Sequence, residues 1–174
     1  MSISQALLPE FDHEMATTRR VLERVPESNY DWKPHQKSMT IGRLAGHVAE
    51  LPGWVPITLE REKFDMATDG AQFPSLTASS RKSLLEAFDK NVAAARKAIA
   101  ATSDEQFMKN WSLIHQGKPV FTMPRAAVLR SFTMSHIVHH RGQLSSYLRC
   151  MGAKVPSIYG ESYDAEQARK AAQA

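Results

Sequence analysis

The sequence lacks several features that mark common classes of protein. It contains a single cysteine, Cys150, which excludes an internal disulfide and favours an intracellular, cytoplasmic setting. Charged residues or prolines interrupt every apolar run before it reaches the roughly 20 residues that a transmembrane helix needs. The first residues show no basic segment followed by an apolar one, so no secretory signal is expected. We therefore expect a protein without a membrane partner.

The charges show no concentration typical of a nucleic-acid-binding face. The 174 residues include 22 Lys and Arg and 18 Asp and Glu, a net charge of +4, and the basic residues are scattered along the chain. Nucleic-acid-binding proteins usually gather such residues on one face, so no nucleic-acid partner is expected. The composition, 43% hydrophobic and 23% charged, is typical of a folded protein. The length predicts a single domain spanning residues 1–174.

Apolar residues recur at intervals of three and four in four stretches, which predicts four amphipathic helices. Ser38 or Thr40 is suited to cap the second helix, and Pro52 and Pro56 inside it predict a kink or a break. Each helix is polar on one side, so the four are expected to pack their apolar faces together in an all-α four-helix bundle. The predicted helices cover residues 4–25, 38–64, 77–101 and 124–151.

The segments outside these helices give weaker signals. Residues 111–123, between the third and fourth helices, contain short apolar runs on both sides of Gln-Gly-Lys-Pro. This pattern predicts a small β-hairpin or an ordered loop. The irregular segment 155–160 carries apolar side chains that are expected to pack on the body of the protein. The residues from about 165 onward are expected to form a short helix or to fray.

The fourth predicted helix contains a pair of histidines on its apolar side. His136 and His140 are four residues apart, a spacing that turns a helical side chain by about 40° and advances it by about 6 Å. Both rings therefore project to one side, in line with Phe132 and Leu144. Histidines that face a helical core need partners for their ring nitrogens. A shared metal ion is one such partner.

A third ligand is expected from a facing helix. His47 is the best candidate because it shares the inward edge of the second helix with Leu44 and Leu51. His139 competes through its spacing of three from His136, but its other neighbours on that face are small or polar. The remaining histidines are expected outside the site, with His13 exposed on the first helix and His35 and His115 in loops.

Spacing alone leaves two interpretations of these histidines open. Pairs at this spacing also occur as hydrogen-bonded side chains without a metal. The H-x-x-x-H pattern lacks the glutamate of H-E-x-x-H, which excludes the metalloprotease mechanism that depends on that general base. The sequence therefore presents a metal site and a hydrogen-bonded histidine cluster as alternatives.

Several polar residues lie next to the candidate ligands. Glu50 is one turn beyond His47 and either accepts the second ring N–H of that histidine or is a solvated surface acid. Arg141 and Gln143 either orient a substrate or tie the helix to a neighbouring loop, and the structural role is favoured.

Cys150 is about 15 Å along the helix from His140, too far away to act as a nucleophile at the histidines. Three aromatic residues are candidates for a pocket or for the core: Trp54, Trp111 and Tyr147.

Three segments together resemble the DinB family. They are residues 136–144, H-I-V-H-H-R-G-Q-L; residues 155–160, V-P-S-I-Y-G; and residues 41–54, I-G-R-L-A-G-H-V-A-E-L-P-G-W. The match runs in order over nearly the whole chain. It implies a four-helix bundle, often dimeric, so a homodimer is expected. It also implies that three histidines hold one divalent metal ion, which by this resemblance are His47, His136 and His140.

The resemblance also implies a function. Some relatives are bacillithiol S-transferases or mycothiol-dependent isomerases, which implies a metal-dependent enzyme that transfers a low-molecular-weight thiol to an electrophilic small molecule. Three imidazole ligands leave at least one coordination position open, as in catalytic sites. Nitrogen ligands favour zinc or nickel, with iron or manganese also compatible. The alternative is a non-catalytic, metal-stabilised bundle that acts as a stress-response or binding module.

Overall fold

The computed structural model describes residues 1–73 and 75–173. The four helices that form the main core are joined by shorter helices and strands. Short 3-10 helices cover Glu27–Asn29, Leu51–Gly53 and Gly70–Gln72, and a π-helix covers Val128–Met134. In chain order the other elements are α1 (Ile3–Leu22), α2 (Ile41–Glu50), α3 (Trp54–Glu60), β1 (Lys63–Asp65), α4 (Arg81–Ala101), α5 (Asp104–Met108), β2 (Asn110–His115), β3 (Lys118–Pro124), α6 (Arg125–Ala127), α7 (Ser135–Cys150) and α8 (Tyr163–Ala171).

The main core lies where four of these helices meet. Helix α1 packs on α4 and α7, and α2 packs on the same two helices. Each helix contributes apolar side chains that recur at helical spacing and are fully or almost fully buried. The predicted fold is therefore confirmed as mostly helical. Representative core residues are Phe11, Leu44, Phe88, Ile137 and Leu148.

The second predicted helix contains the expected break near Pro52, and its predicted end at residue 64 is wrong. Helix α2 is capped by the Thr40 side chain, which accepts a hydrogen bond from the Arg43 amide; α2 ends at Glu50, and α3 ends at Glu60. Pro52 lies in the 3-10 helix between α2 and α3, because proline lacks an amide hydrogen and clashes with the preceding turn of an α-helix. Pro56 is tolerated in the first turn of α3, where amide groups have no partner within the helix.

The fourth predicted helix is wrong in its continuity. Pro124 is the last residue of β3, and the helical region that follows contains the π-helix Val128–Met134 before α7 begins. The Ser135 hydroxyl donates to the carbonyl of Arg130, and the Ser131 hydroxyl donates to that of Ala127. A π turn contains more residues than an α turn. The apolar spacing therefore does not follow a single 3.6-residue period along this region.

A three-stranded sheet corrects the all-α expectation. The β2–β3 hairpin lies in the region predicted to be a hairpin or an ordered loop, and its turn residues Gln116 and Gly117 both have positive φ, the type I′ geometry of two-residue hairpins. Strand β1 pairs with β2 in parallel. It covers residues 63–65, the first two of which were predicted to end the second helix. His115 is the last residue of β2 and not a loop residue.

A second hydrophobic cluster forms beside the sheet from Ile57, Phe64, Trp111, Leu113 and Val128.

The C-terminal segment packs on the helices as expected. Val155 and Ile158 are partly buried against the main core, and Asp164 accepts hydrogen bonds from the Val155 amide and from Arg149. Helix α8 follows and has no buried residues. In the described parts of the chain, no helix combines the length and the hydrophobicity that a membrane crossing requires.

Gly46 allows a neighbouring segment to cross α2 at close range. A Cβ atom at this position would lie 2.0 Å from the carbonyl oxygen of Leu76. The same Leu76 peptide donates its amide to Glu50 Oε2 at 2.7 Å and accepts a hydrogen bond from Arg43 Nη1 at 2.9 Å. The absence of a side chain at Gly46 therefore determines where the backbone around Leu76 can lie.

We expect Gly46→Ala to destabilise the protein by about 1–3 kcal/mol, because the added methyl group displaces backbone atoms. The matched control is Gly142→Ala in α7, where no atom lies within 4 Å of the new Cβ. This control should be stabilised by about 0.5–1 kcal/mol, since alanine is the better helix former. Chemical denaturation of both variants measures the difference. Equal changes in the free energy of unfolding would contradict the assigned packing.

Candidate metal centre

Three histidines from two helices converge at the edge of the main core. His47 lies on α2, and His136 and His140 lie on α7. One ring nitrogen from each of the three lies within 4.8 Å of the others. The Nε2 atoms of His47 and His136 are 3.4 Å apart. The structure therefore brings together the three residues that the sequence singled out.

The position of the rings follows from the packing of α2 against α7. His47 precedes the buried Val48, and His136 precedes the buried Ile137, so each histidine is adjacent to a residue that fills the core. The ring centroids are 5.1 Å apart for His47 and His136, 4.7 Å for His47 and His140, and 4.6 Å for His136 and His140. All three side chains are partly buried and retain contact with solvent.

Two of the rings are held by acceptors from their own helices. The Nδ1 atom of His47 lies 2.8 Å from Glu50 Oε1, and the Nδ1 atom of His140 lies 2.7 Å from Gln143 Oε1. Each acceptor is three residues further along, so it lies on the same helical face as its histidine. When Nδ1–H donates to these oxygens, the lone pair of each neutral ring lies on Nε2.

Glu50 is itself fixed by several donors. Its carboxylate accepts hydrogen bonds from Arg43 Nη2 at 3.0 Å and from the Leu76 amide at 2.7 Å, besides the contact with His47. Burial by itself would raise the pKa of Glu50, but the hydrogen bonds from His47, Leu76 and Arg43 outweigh it and lower that pKa. The acceptor of the His47 ring is therefore a carboxylate at neutral pH.

Sequence reasoning missed Arg43. Arg43 lies seven residues before Glu50, two helical turns away on the same face of α2. This spacing could have predicted that the two side chains lie on one side of the helix. The contribution of the Leu76 peptide had no such signal, because it comes from a segment 26 residues further along the chain.

The two rings on α7 are in the protonation state that metal binding requires. Burial and, to a smaller extent, the neighbouring rings of His140, His47 and His139 together lower the pKa of His136 to about 4. Burial also lowers the pKa of His140, against the opposite effect of its hydrogen bond to Gln143. Both rings are therefore neutral at pH 7, and a neutral imidazole is the form that donates a lone pair to a cation.

The donor set fits a divalent ion. Two nitrogens bound to one tetrahedral zinc ion lie about 3.3 Å apart, because each Zn–N bond is about 2.0–2.1 Å long. The 3.4 Å between the Nε2 atoms of His47 and His136 matches this spacing. The cluster holds three histidines and, among the described residues, no further His, Cys, Asp or Glu. The residues present can therefore hold an ion and leave a coordination position for a ligand from solvent.

The other histidines lie outside this cluster. His139 is exposed, although its ring centroid is 4.8 Å from that of His140. His13 is exposed on α1, as expected from the sequence, and His35 is exposed in the turn region before α2.

Arg141 points away from the histidines and toward α1. Its side chain is 1% exposed and forms a 2.7 Å ion pair with Glu14 Oε2. It also donates to Thr18 Oγ1 at 3.2 Å and to the Tyr159 hydroxyl at 2.5 Å. The Tyr159 hydroxyl in turn donates to Glu14. Arg141 therefore ties α7 to α1 and to the C-terminal segment, which is the structural role favoured for it.

The remaining candidates divide between core and surface. Trp111 is fully buried in the second hydrophobic cluster. Trp54 is partly buried at the edge of that cluster, and Tyr147 packs against Trp32 with a centroid distance of 5.6 Å. Cys150 is exposed at the end of α7.

We expect Arg141→Met to lower the free energy of unfolding by about 3–5 kcal/mol, because it leaves the Glu14 carboxylate buried without its partner. The matched control is Arg96→Met, which removes an exposed ion pair with Asp12 between α4 and α1 and should cost about 0–1 kcal/mol. Urea denaturation measures both. A loss no larger than that of the control would show that the buried ion pair does not hold α7 in place.

Comparison with known proteins identifies the fold and the family. A DinB-like protein from Bacillus subtilis has a TM-score of 0.68 at 19% identity, over 90% of this chain and 99% of that chain. A DinB-like protein from Bacillus cereus ATCC 10987 has a TM-score of 0.64 at 19% identity, over 89% and 97% of the two chains. The comparison with curated proteins gave no match. The family model of the DinB family matches residues 1–171, so this chain belongs to the DinB family.

Proposed function

We propose that this protein is a metal-dependent enzyme that transfers a low-molecular-weight thiol to an electrophilic small molecule. His47, His136 and His140 would hold one divalent ion. The observation that carries the proposal is the convergence of three partly exposed imidazoles, two of which have their Nδ1 atoms occupied by Glu50 and Gln143.

A shared cation accounts for this cluster better than hydrogen bonding alone. The Nδ1 atoms of His47 and His140 already have partners, so their lone pairs lie on Nε2. A hydrogen bond between the Nε2 atoms of His47 and His136 would pair those two rings and leave the lone pair of His140 to water alone. One cation accepts all three lone pairs at once.

The side chains around the ligands supply orientation and charge. Glu50 and Gln143 keep the rings of His47 and His140 in one tautomer and one orientation, a role known to strengthen metal binding. A divalent ion bound by three neutral imidazoles keeps its full charge and, when present, lowers the pKa of a thiol or water at its open position. Zinc or nickel is favoured by the nitrogen donors, and iron or manganese is compatible with them.

Two observations support an enzyme that acts on a thiol. The ligands remain partly exposed, so a small molecule from solvent can reach the site, whereas a structural metal site is usually closed by four protein ligands. The chain also belongs to the DinB family, and the resemblance to that family implies relatives that act on low-molecular-weight thiols. In the proposed reaction the thiol sulfur forms a bond to an electrophilic carbon. The leaving group departs with its bonding electron pair, and the thiol proton passes to solvent.

One feature also favours the second candidate, a non-catalytic module stabilised by metal. The three ligands come from α2 and α7, so an ion would link two helices that belong to different parts of the chain. Such a link stabilises the folded state by an amount that rises with the logarithm of the ratio of ion concentration to Kd. Both candidates therefore predict stabilisation by metal, and only the enzyme predicts turnover.

His136→Ala is expected to abolish stoichiometric metal binding, because it removes the ring that lies beside both His47 on α2 and His140 on α7 and leaves only two ligands. The matched control is His139→Ala, which removes an exposed neighbouring ring and should retain one ion per chain. Elemental analysis of the purified proteins and calorimetric titration with Zn²⁺ and Ni²⁺ measure both. Full metal content in the His136 variant would overturn the assignment of the ligands.

Metal-loaded protein is expected to accelerate conjugation of a low-molecular-weight thiol with monochlorobimane. Bacillithiol, mycothiol, glutathione and coenzyme A would each be tested, with bimane fluorescence as the readout. His136→Ala should reduce the rate to that of the uncatalysed reaction. Uncatalysed rates with all four thiols, from protein that carries one ion per chain, would contradict the transferase and favour the non-catalytic module.

A further inference from the structure

A group of aromatic rings adjoins the histidine cluster on the side of the sheet. Phe132, in the π-helix, has its ring centroid 5.9 Å from that of His136. It lies 5.4 Å from Trp54 and 5.4 Å from Phe121. These three residues, Trp54, Phe121 and Phe132, are called the aromatic strip. It joins α3, β3 and the π-helix at the point where α7 begins.

The three rings of the aromatic strip are partly buried, whereas the second hydrophobic cluster beneath them is sealed. Phe64 is 2% exposed and Trp111 is fully buried, whereas the three rings of the strip are only partly buried. Phe73 also packs against Phe64 of that cluster, at a centroid distance of 5.4 Å, and is 44% exposed. Apolar surface that stays in water beside a polar cluster is typical of ligand-binding sites.

The chemistry of the strip favours an aromatic ligand. Its rings contact each other edge-on or tilted, the arrangements that aromatic groups prefer. A planar aromatic molecule can make contacts of the same kind with the partly exposed rings of Phe132 and Trp54. The ring contact between Phe132 and His136 means that such a molecule would lie directly beside the candidate metal ligands.

We propose that the aromatic strip binds the electrophile and that this electrophile is a planar aromatic molecule. The inference rests on the proposed function, because it assigns a substrate class to the same site. With 1-chloro-2,4-dinitrobenzene as the probe, the thiol sulfur bonds to the ring carbon that carries chlorine. Chloride leaves with the electron pair of the carbon–chlorine bond, and the thiol proton passes to solvent.

Binding is tested without any reaction. The probe is 1,3-dinitrobenzene, which has no leaving group and quenches tryptophan fluorescence. We expect saturable quenching that is lost for the most part in Trp54→Phe and retained in Trp32→Phe. Phe132→Leu should raise the Kd by about tenfold, because an aliphatic side chain loses the ring contact. Tyr163→Leu, which changes an exposed aromatic residue on α8, should leave the Kd unchanged.

Turnover is tested with two electrophiles. Phe132→Leu should lower kcat/KM for 1-chloro-2,4-dinitrobenzene by about tenfold and change it less than about twofold for iodoacetamide, which has no ring. Phe132→Ala serves as a second variant, and one metal ion per chain shows that either variant has retained the site. Equal losses for the two electrophiles would overturn the inference.

The two tests separate this inference from the proposed function. Saturable binding of 1,3-dinitrobenzene that depends on Phe132, without turnover of any thiol, would support the aromatic strip and overturn the transferase. Turnover of monochlorobimane or iodoacetamide, without saturable binding of 1,3-dinitrobenzene, would support the transferase and overturn the aromatic strip as the site of the electrophile.

Discussion

The packing of α2 against α7 is the constraint on which the candidate site depends. It brings His47 to within 3.4 Å of His136, although 89 residues separate them in the chain. The core residues adjacent to these histidines fix the rotation of each helix about its axis, because a rotated helix would expose Val48 or Ile137. The same packing that stabilises the fold therefore sets the geometry of the nitrogen cluster.

A set of polar contacts refines this geometry. Glu50 holds the ring of His47 and is itself held by Arg43 and by the backbone at Leu76. That backbone can approach only because Gly46 has no side chain. On the other side of α7, the buried pair of Arg141 and Glu14 ties the helix to α1. Charged groups that are buried in pairs specify one arrangement of helices, since the alternatives leave a charge without a partner.

The correct predictions depended on residues that are neighbours in sequence, whereas the missed strand depended on a contact with a distant segment. Thr40 as a cap, the interruption near Pro52 and the turn at Gln116 and Gly117 depend on residues that are neighbours in sequence. Strand β1 was missed because three residues gain strand structure only by pairing with β2. The π-helix was missed because the apolar pattern on both sides of it fits an α-helix. The extra residue in a π turn changes that pattern only locally.

For the site, the sequence by itself determined which residues are available. The spacing of His136 and His140 places both rings on one side of any α-helix, and the spacings of Glu50 and Gln143 place an acceptor one turn from His47 and His140. Only the tertiary structure decided that α2 faces α7, that Leu76 reaches Glu50 and that Arg141 turns toward Glu14. The reason is physical: spacing along a helix is fixed by its hydrogen bonds, whereas the choice of facing helix depends on the burial of apolar surface over the whole chain.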